Sequence, residues 1–214
     1  MASLSSTPPT GGLRKGLPVL SRPGLPPYRL SVDQYEAMVA SGVLTKHDRL
    51  ELIEGVLIAK MTKGPRHSAV AVHLGELLRG VLPKGWHIRL EQLLRIPERS
   101  EPEPDLAVIR GASLDYEDRH PGPAEVALVV EVAESSLTRD REIMGHIYAA
   151  AGIPVYWIVN LKGRSRLVEV YTRPTRTRGY RIRDDYRPGQ DLALKIEGKE
   201  IGRIAVADLF PVRP

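Results

Sequence analysis

The chain has 214 residues, of which 42% are hydrophobic and none is cysteine. This length suits one domain with a single core and a short tail. Without cysteine, disulfide bonds and thiolate metal sites are excluded, so any metal ion must be held by oxygen or imidazole ligands. Oxygen ligands favour Mg²⁺ or Mn²⁺. The formal net charge of +5 permits binding to nucleic acid but is too small to indicate it alone.

Neither membrane insertion nor secretion is predicted. The longest apolar run, near 126–132, is far shorter than a bilayer span. The first residues lack the basic segment and apolar core of a secretory signal. We therefore expect a cytoplasmic protein without a membrane partner.

The amino-terminal part predicts a leader, a helix, a hairpin and a second helix. Residues 1–27 are rich in Ser, Pro and Gly and are expected to be disordered, which leaves 28–214 as a single domain. Ser31 fits the pattern of a helix N-cap. Residues 50–59 alternate aliphatic and polar side chains around a glycine, which predicts a strand or a hairpin. The second helix is expected to begin at Pro65, because an apolar stripe at helical spacing follows it.

The middle of the chain predicts a strand–helix–strand unit. Strands are expected near 87–96, 104–109 and 125–133. A helix is expected over 135–151. The hydrophobic run 155–159 then predicts a strand that is covered on both faces.

The carboxyl-terminal part predicts hairpins. Strands are expected at 166–171 and 180–183, and one final strand or helix at 204–209. The whole pattern predicts an α/β (α+β) fold, in which helices flank a mixed central sheet and hairpins lie at its edge.

Two carboxylates lie on what the pattern predicts to be adjacent strands. Asp105 follows Pro104 at the start of one strand, and Glu131 lies between valines in the next. Burying one carboxylate costs several kcal/mol, and bringing two together is harder still without a cation. Both carboxylates and the backbone carbonyl of Val132 would give Mg²⁺ half of its ligands. The alternative is that Asp105 caps a strand end and Glu131 pairs with an arginine.

A third acid is expected on the first hairpin. Glu51 and Glu54 are three residues apart, so on a strand they point to opposite faces. We expect Glu54 to be the buried one, because Gly55 beside it indicates a close approach of the backbone. Simple solvation of Glu54 is the alternative.

Residues on the two predicted helices are further candidates. His67 could position water or contact phosphate, or it could be a cap or surface residue. Asp140, Met144 and Tyr148 share one helical face that is expected to face Glu131, and core packing alone would also explain the last two.

The strings that carry these residues closely resemble the Uma-two restriction endonuclease family, a bacterial branch of the PD-(D/E)XK nuclease fold. They are Pro-Glu-Pro-Asp-Leu-Ala-Val at 102–108, Val-Val-Glu-Val-Ala-Glu-Ser-Ser-Leu at 129–137, Asp-Arg at 140–141 and the segment 148–161. The resemblance runs from about Tyr28 to Pro211. It implies a restriction endonuclease-like fold, a nuclease function on DNA, and Mg²⁺ or Mn²⁺ as the cofactor. By position it implies Asp105, Glu131 and Glu54 as the catalytic acids.

The chain departs from this pattern where a lysine is expected. The superfamily's lysine position corresponds to Ala133, and the position to which this branch moves it corresponds to Met144. A thioether can neither orient water as a base nor offset charge on a phosphate. Arg141 could supply charge but no base. Lys60 or Lys63 could also approach the site from the segment after the first hairpin.

These observations leave three functional hypotheses. The first is a Mg²⁺-dependent endonuclease that hydrolyses DNA phosphodiester bonds, weakened by Met144. The second is a catalytically inactive nuclease-fold module that binds nucleic acid or protein. The third is a structural homodimer formed through the 155–161 strand region and the hairpins. Five arginines between 173 and 183 could face phosphates on a hairpin rim, or they could simply be solvated.

Overall fold

The computed structural model describes residues 26–163 and 166–210. The predicted leader therefore lies almost entirely outside the described residues. The elements follow in chain order: α1 (Val32–Ala40), β1 (Leu50–Ile53), β2 (Val56–Ala59), α2 (Pro65–Val81), β3 (Trp86–Leu90), β4 (Leu106–Arg110), 3₁₀ turns at Ser113–Tyr116 and Pro123–Glu125, β5 (Val126–Ala133), α3 (Leu137–Arg139), a π-helical turn (Asp140–Met144), α4 (Gly145–Ala150), β6 (Val155–Asn160), β7 (Leu167–Thr175), β8 (Gly179–Tyr186), β9 (Asp191–Ile196), β10 (Lys199–Ala205) and α5 (Val206–Leu209).

A six-stranded sheet in the order β3-β4-β5-β6-β7-β8 forms the centre of the fold. Only β5 and β6 run parallel, and every other pair in this sheet is antiparallel. A parallel pair needs a crossover connection, and here the helical segment from α3 to α4 supplies it. The mixed sheet and its strand–helix–strand unit are confirmed.

Two hydrophobic clusters cover the faces of the sheet. On one face, α2, the β9–β10 hairpin and α5 pack against the even-numbered residues of β4 and β5. On the other face, α3 and α4 pack against the odd-numbered residues. Burial on both sides explains why every residue of β5 is buried.

The first helix and hairpin begin as expected. Ser31 caps α1 through a capping box in which Gln34 bonds back to the Ser31 backbone. β1 and β2 form a hairpin whose turn residues, Glu54 and Gly55, both have positive φ, at 48° and 80°. A two-residue turn of this kind suits the twist of the strands.

Several elements differ from the predicted ones. One of them is β10, which begins at Lys199, before the final strand or helix expected over 204–209. β3 ends at Leu90 rather than near 96, because Glu91 adopts a positive φ of 50° that breaks the extended backbone. The 135–151 helix is interrupted by a π-helical turn. The β9 strand was not predicted, although the alternation of 191–196 places Leu192, Leu194 and Ile196 in the core.

Among the helices of the described residues, none is long and apolar enough to cross a membrane.

Candidate active site

Asp105 and Glu131 lie directly opposite one another at the start of β4. Leu106 pairs with Val130 in the antiparallel register, so the preceding Asp105 faces Glu131. The backbone N–H of Val132 donates to Asp105 Oδ2 at 2.7 Å, and the N–H of Asp105 lies 3.4 Å from Glu131 Oε2. Both side chains are buried, at 4% and 9% exposure. The structure thus brings together the two acids selected from the sequence.

The Asp105 carboxylate is met by two bases from the α2 region. Lys63 Nζ lies 2.7 Å from Oδ1, and His67 donates from Nε2 to Oδ2 at 2.9 Å. Burial alone would raise the pKa of Asp105, but His67 and Lys63 outweigh it and hold this pKa below its usual range. His67, for which a surface position was the alternative, is buried.

The Glu131 carboxylate has no cation within ion-pair distance in the described part of the chain. Its Oε1 accepts a hydrogen bond from the Tyr148 hydroxyl at 2.8 Å. Burial, followed by the charges of Asp105 and Asp140, raises the pKa of Glu131 well above its ordinary value. The alternative prediction, in which Glu131 pairs with an arginine, is therefore wrong for the described residues.

Helix α3 brings a further acid and a base to the same cleft. Asp140 accepts a hydrogen bond from the Ser136 hydroxyl at 2.5 Å. Burial raises the pKa of Asp140 to about 6, against the opposing effects of Ser136 and Arg139. Arg139 forms an ion pair with Glu51, and its guanidinium also lies 3.7 Å from Met144 Sδ.

The π-helical turn holds the backbone of Asp140 in place. The N–H of Gly145 donates to the carbonyl of Asp140, and the Tyr156 hydroxyl donates to the same oxygen at 3.1 Å. A Cβ at Gly145 would lie 3.3 Å from that carbonyl and 3.4 Å from the Tyr156 ring, so a larger residue would crowd this turn. π-helical turns within helices are frequent at functional sites.

The third acid in the cleft is Glu51, and Glu54 lies outside it. Glu54 is exposed at the hairpin turn, whereas Glu51 is only 3% exposed and accepts from the backbone N–H of Glu103 at 3.2 Å. The expectation that Glu54 is the buried member of the pair is wrong. Its physical reason is that β1 ends at Ile53 and Glu54 belongs to the turn, with a φ of 48°, so the alternation of faces along a strand does not apply to Glu54.

Of the other basic residues considered from the sequence, Lys60 lies in the cleft and Arg141 lies outside it, beside β7. Lys60 forms an ion pair of 2.5 Å with Glu103 and lines the cleft, but it does not reach Asp105. Arg141 pairs instead with the buried Glu169 on β7 at 2.5 Å. Of the two lysines, Lys63 is therefore the one that contacts Asp105. No local pattern marks Arg139, since its partner is 88 residues away.

The charges of the cleft favour a divalent cation. Its lining contains more acids than bases: the carboxylates Glu51, Glu103, Asp105, Glu131, Glu134 and Asp140 stand against Lys60, Lys63, Arg139 and His67. No group of three or more His, Asp or Glu within the described ranges already has metal-binding geometry. Mg²⁺ keeps several water ligands and commonly uses one or two carboxylates, so the facing pair of acids suffices. The side chains that could bind a metal ion in this cleft offer oxygen or imidazole nitrogen, and Glu131, which has no ion-pair partner among the described residues, lines the cleft with them.

The fold is similar to that of a solved protein that is described as a nuclease. A solved structure described as a "putative nuclease belonging to DUF820" from Anabaena variabilis matches with a TM-score of 0.59 and 17% identity, covering 85% of this chain and 97% of that chain. At this identity the match establishes the fold. A search of curated proteins finds no match.

The family is established by a model that covers most of the chain. The Uma2 model, whose description reads "Putative restriction endonuclease", matches residues 32–200. The chain therefore belongs to the Uma2 (Uma-two) family, as its motifs indicated.

Proposed function

We propose that the chain is a Mg²⁺- or Mn²⁺-dependent endonuclease that hydrolyses phosphodiester bonds in DNA. Asp105 and Glu131 are the proposed side-chain ligands. The Val132 carbonyl is the third proposed ligand. The N–H and C=O of a strand residue lie on the same edge of the strand, and the Val132 N–H already donates to Asp105, so its carbonyl lies on the side of Asp105 as well. The facing of Asp105 and Glu131, with Glu131 lacking a cation, carries the proposal.

Each acid is held in place by the chain before a substrate arrives. The Val132 N–H and His67 fix both the position and the rotation of Asp105. Tyr148 fixes Glu131 from the helix side. A bound divalent cation supplies a Lewis acid for the phosphoryl oxygen and lowers the pKa of water. We assign the third acidic role, given to Glu54 on sequence grounds, to Glu51 instead.

Lys63 is the proposed source of the positive charge that Met144 cannot provide. Met144 is 1% exposed and its sulfur carries no charge for a phosphate. Lys63 reaches Asp105 from the segment before α2, with its Nζ 2.7 Å from Asp105 Oδ1. Its ammonium can offset charge that develops on the phosphate, an effect worth about a hundredfold to a thousandfold in rate. The raised pKa of Lys63, where its acidic partners outweigh burial, keeps it protonated.

Plasmid cleavage tests the proposal. Wild-type protein with Mg²⁺ or Mn²⁺ should nick or linearise supercoiled plasmid, and Asp105→Ala should not. Glu51→Gln should lower the rate, whereas Glu54→Gln should leave it unchanged because that side chain lies at the exposed turn. Equal cleavage by wild type and Asp105→Ala would overturn the proposal.

An inactive binding module is the second candidate function, and Met144 favours it. This reading requires salt-sensitive DNA binding without turnover. Met144→Lys separates the two functions. If the wild type is inactive and this variant cleaves DNA, the hypothesis of an inactive binding module is correct. If Lys63 already supplies the charge, the variant gains nothing and loses stability, because a second cation is buried beside Arg139.

A further inference from the structure

Three buried side-chain nitrogen atoms near the edge strand β3 have no hydrogen-bond partner. They are Nε2 of His87, Nε of Arg89 and Nδ1 of His120. Buried polar groups are nearly always satisfied, so such atoms commonly mark a place for water or for an ion. We name His87, Arg89, His120 and the adjacent Tyr116 the β3-edge cluster.

His87 and Arg89 of the β3-edge cluster lie close together against the ring of Tyr116. The His87 ring centroid is 5.7 Å from that of Tyr116, and the Arg89 guanidinium carbon is 5.8 Å from the Tyr116 centroid. Burial and then the charge of Arg89 lower the pKa of His120, while the charge of Glu36 opposes them, so His120 lies within electrostatic reach of both Arg89 and Glu36. Tyr116 is itself anchored by its hydroxyl, which donates to the Arg110 carbonyl at 2.7 Å.

The charge of Arg89 is not balanced by an acid. No carboxylate of the described residues forms an ion pair with it, and it is half-buried. Arg119 stacks on the same Tyr116 ring at 4.9 Å, but Glu125 binds that arginine through both guanidinium nitrogens. The chain therefore neutralises one arginine at this ring and leaves the other available to an anion.

The β3-edge cluster faces the same side of the sheet as the active-site acids. Arg89 lies opposite Ala107, which lies opposite Val129, two residues before Glu131 on the same strand. Directly paired residues share a face, and so do residues two apart. The N–H of Glu91 donates to the Asp105 carbonyl, so Arg89 lies two residues, or about 7 Å, along the strand from Asp105.

We propose that the β3-edge cluster binds a phosphate group of the nucleic-acid backbone next to the bond that is hydrolysed. The proposal rests on the proposed nuclease function and adds a substrate-binding site to it. The offset of about 7 Å is on the order of the distance between neighbouring phosphates of one nucleic-acid strand, which suits the phosphate next to the bond that is hydrolysed. A guanidinium presents paired N–H donors that match phosphate oxygens. His87 donates from Nδ1 to the Gly111 carbonyl at 2.8 Å, so its Nε2 donates to the anion when the ring is protonated.

Binding to a labelled DNA duplex in EDTA, measured over a series of salt concentrations, tests this site. Arg89→Gln and His120→Gln should each weaken binding, the former by roughly tenfold at low salt. For Arg89→Gln, the slope of log affinity against log salt should become shallower by about 1. Arg89→Lys should keep the wild-type slope, because it keeps the charge. The matched control is Arg79→Gln, which removes the same charge from the exposed end of α2 on the other face.

A second assay separates this site from the active site. Hydrolysis of bis(4-nitrophenyl) phosphate with Mn²⁺ needs no neighbouring phosphate, so Arg89→Gln should lower the rate for plasmid by a larger factor than the rate for this small diester. Failure of the wild type to cleave plasmid would overturn the nuclease function and leave the binding result to decide the phosphate site.

Three results would overturn the phosphate site. One is an Arg89→Gln variant with wild-type affinity and slope, and another is a wild type that binds no duplex. The third is a calorimetric result in which the wild type binds inorganic phosphate and Arg89→Gln does not, while both proteins bind the duplex equally well. That result would assign the cluster to free phosphate.

Discussion

Replacing Lys63 with methionine should weaken both the fold and the reaction. The substitution keeps much of the side-chain volume but removes the ammonium that lies 2.7 Å from Asp105 and 3.2 Å from Glu91. The side chain of Asp105 is 5% exposed and that of Lys63 is 27% exposed. Breaking a fully buried pair costs about 3–5 kcal/mol, and breaking an exposed pair about 0–1 kcal/mol. For this intermediate pair we expect a loss of about 2 kcal/mol without metal.

The rate should fall more sharply than the stability. We expect Lys63→Met to cleave plasmid about a hundredfold to a thousandfold more slowly than wild type at saturating Mg²⁺. Lys60→Met is the matched control, because Lys60 lines the same cleft but pairs with Glu103 and does not contact Asp105. Urea denaturation gives the stability of each variant. Equal cleavage rates for the two variants would refute the role assigned to Lys63.

Two further predictions concern buried acids. Tyr148→Phe removes the hydrogen bond to Glu131 Oε1 and should lower the free energy of unfolding by about 1–3 kcal/mol in urea, with slower cleavage; unchanged values for both would contradict the support assigned to this hydroxyl. Burial, and then the charge of Glu36, raises the pKa of Glu101 from 4.5 to about 7. Between these pH values the folded state binds this proton more tightly than the unfolded state does, so the free energy of unfolding should fall as the pH rises from about 4.5 to 7. Glu101→Gln should abolish that fall and exceed wild-type stability at pH 8 by roughly 2 kcal/mol, while an identical pH profile would exclude the effect.

The central sheet and its acids could be predicted because their signals are local. Aliphatic runs define β4 and β5, and the acids that interrupt those runs are conspicuous. Their short separation in the chain favours neighbouring strands, which puts Asp105 opposite Glu131. The β9 strand carried an equally local signal, since Leu192 and Leu194 alternate with polar residues before the Glu-Gly turn at 197–198, but it was not recognised.

The remaining site residues could not be assigned from local patterns. The choice between Glu51 and Glu54 depended on where the hairpin turn falls. The close backbone approach expected at Gly55 is present, since a Cβ there would lie 2.6 Å from Arg29 Cβ, but Glu54 belongs to the turn and not to the strand. Lys63 and Arg139 belong to the site through pairings with residues 42 and 88 positions away, Asp105 and Glu51. Such contacts depend on how α2 and α3 pack on the sheet, which periodicity alone does not specify.

Calorimetric titration of Mn²⁺ tests most directly whether the facing carboxylates bind a divalent cation. The wild type should bind the ion. Glu131→Gln keeps a carbonyl oxygen that can accept the hydrogen bond from the Tyr148 hydroxyl. Losing a residue that merely supports a metal ligand weakens metal binding by roughly tenfold to a hundredfold, so losing the Glu131 carboxylate itself should weaken Mn²⁺ binding by at least as much. A wild type that shows no binding, or a variant that binds the ion as tightly as wild type, would contradict the proposed active site.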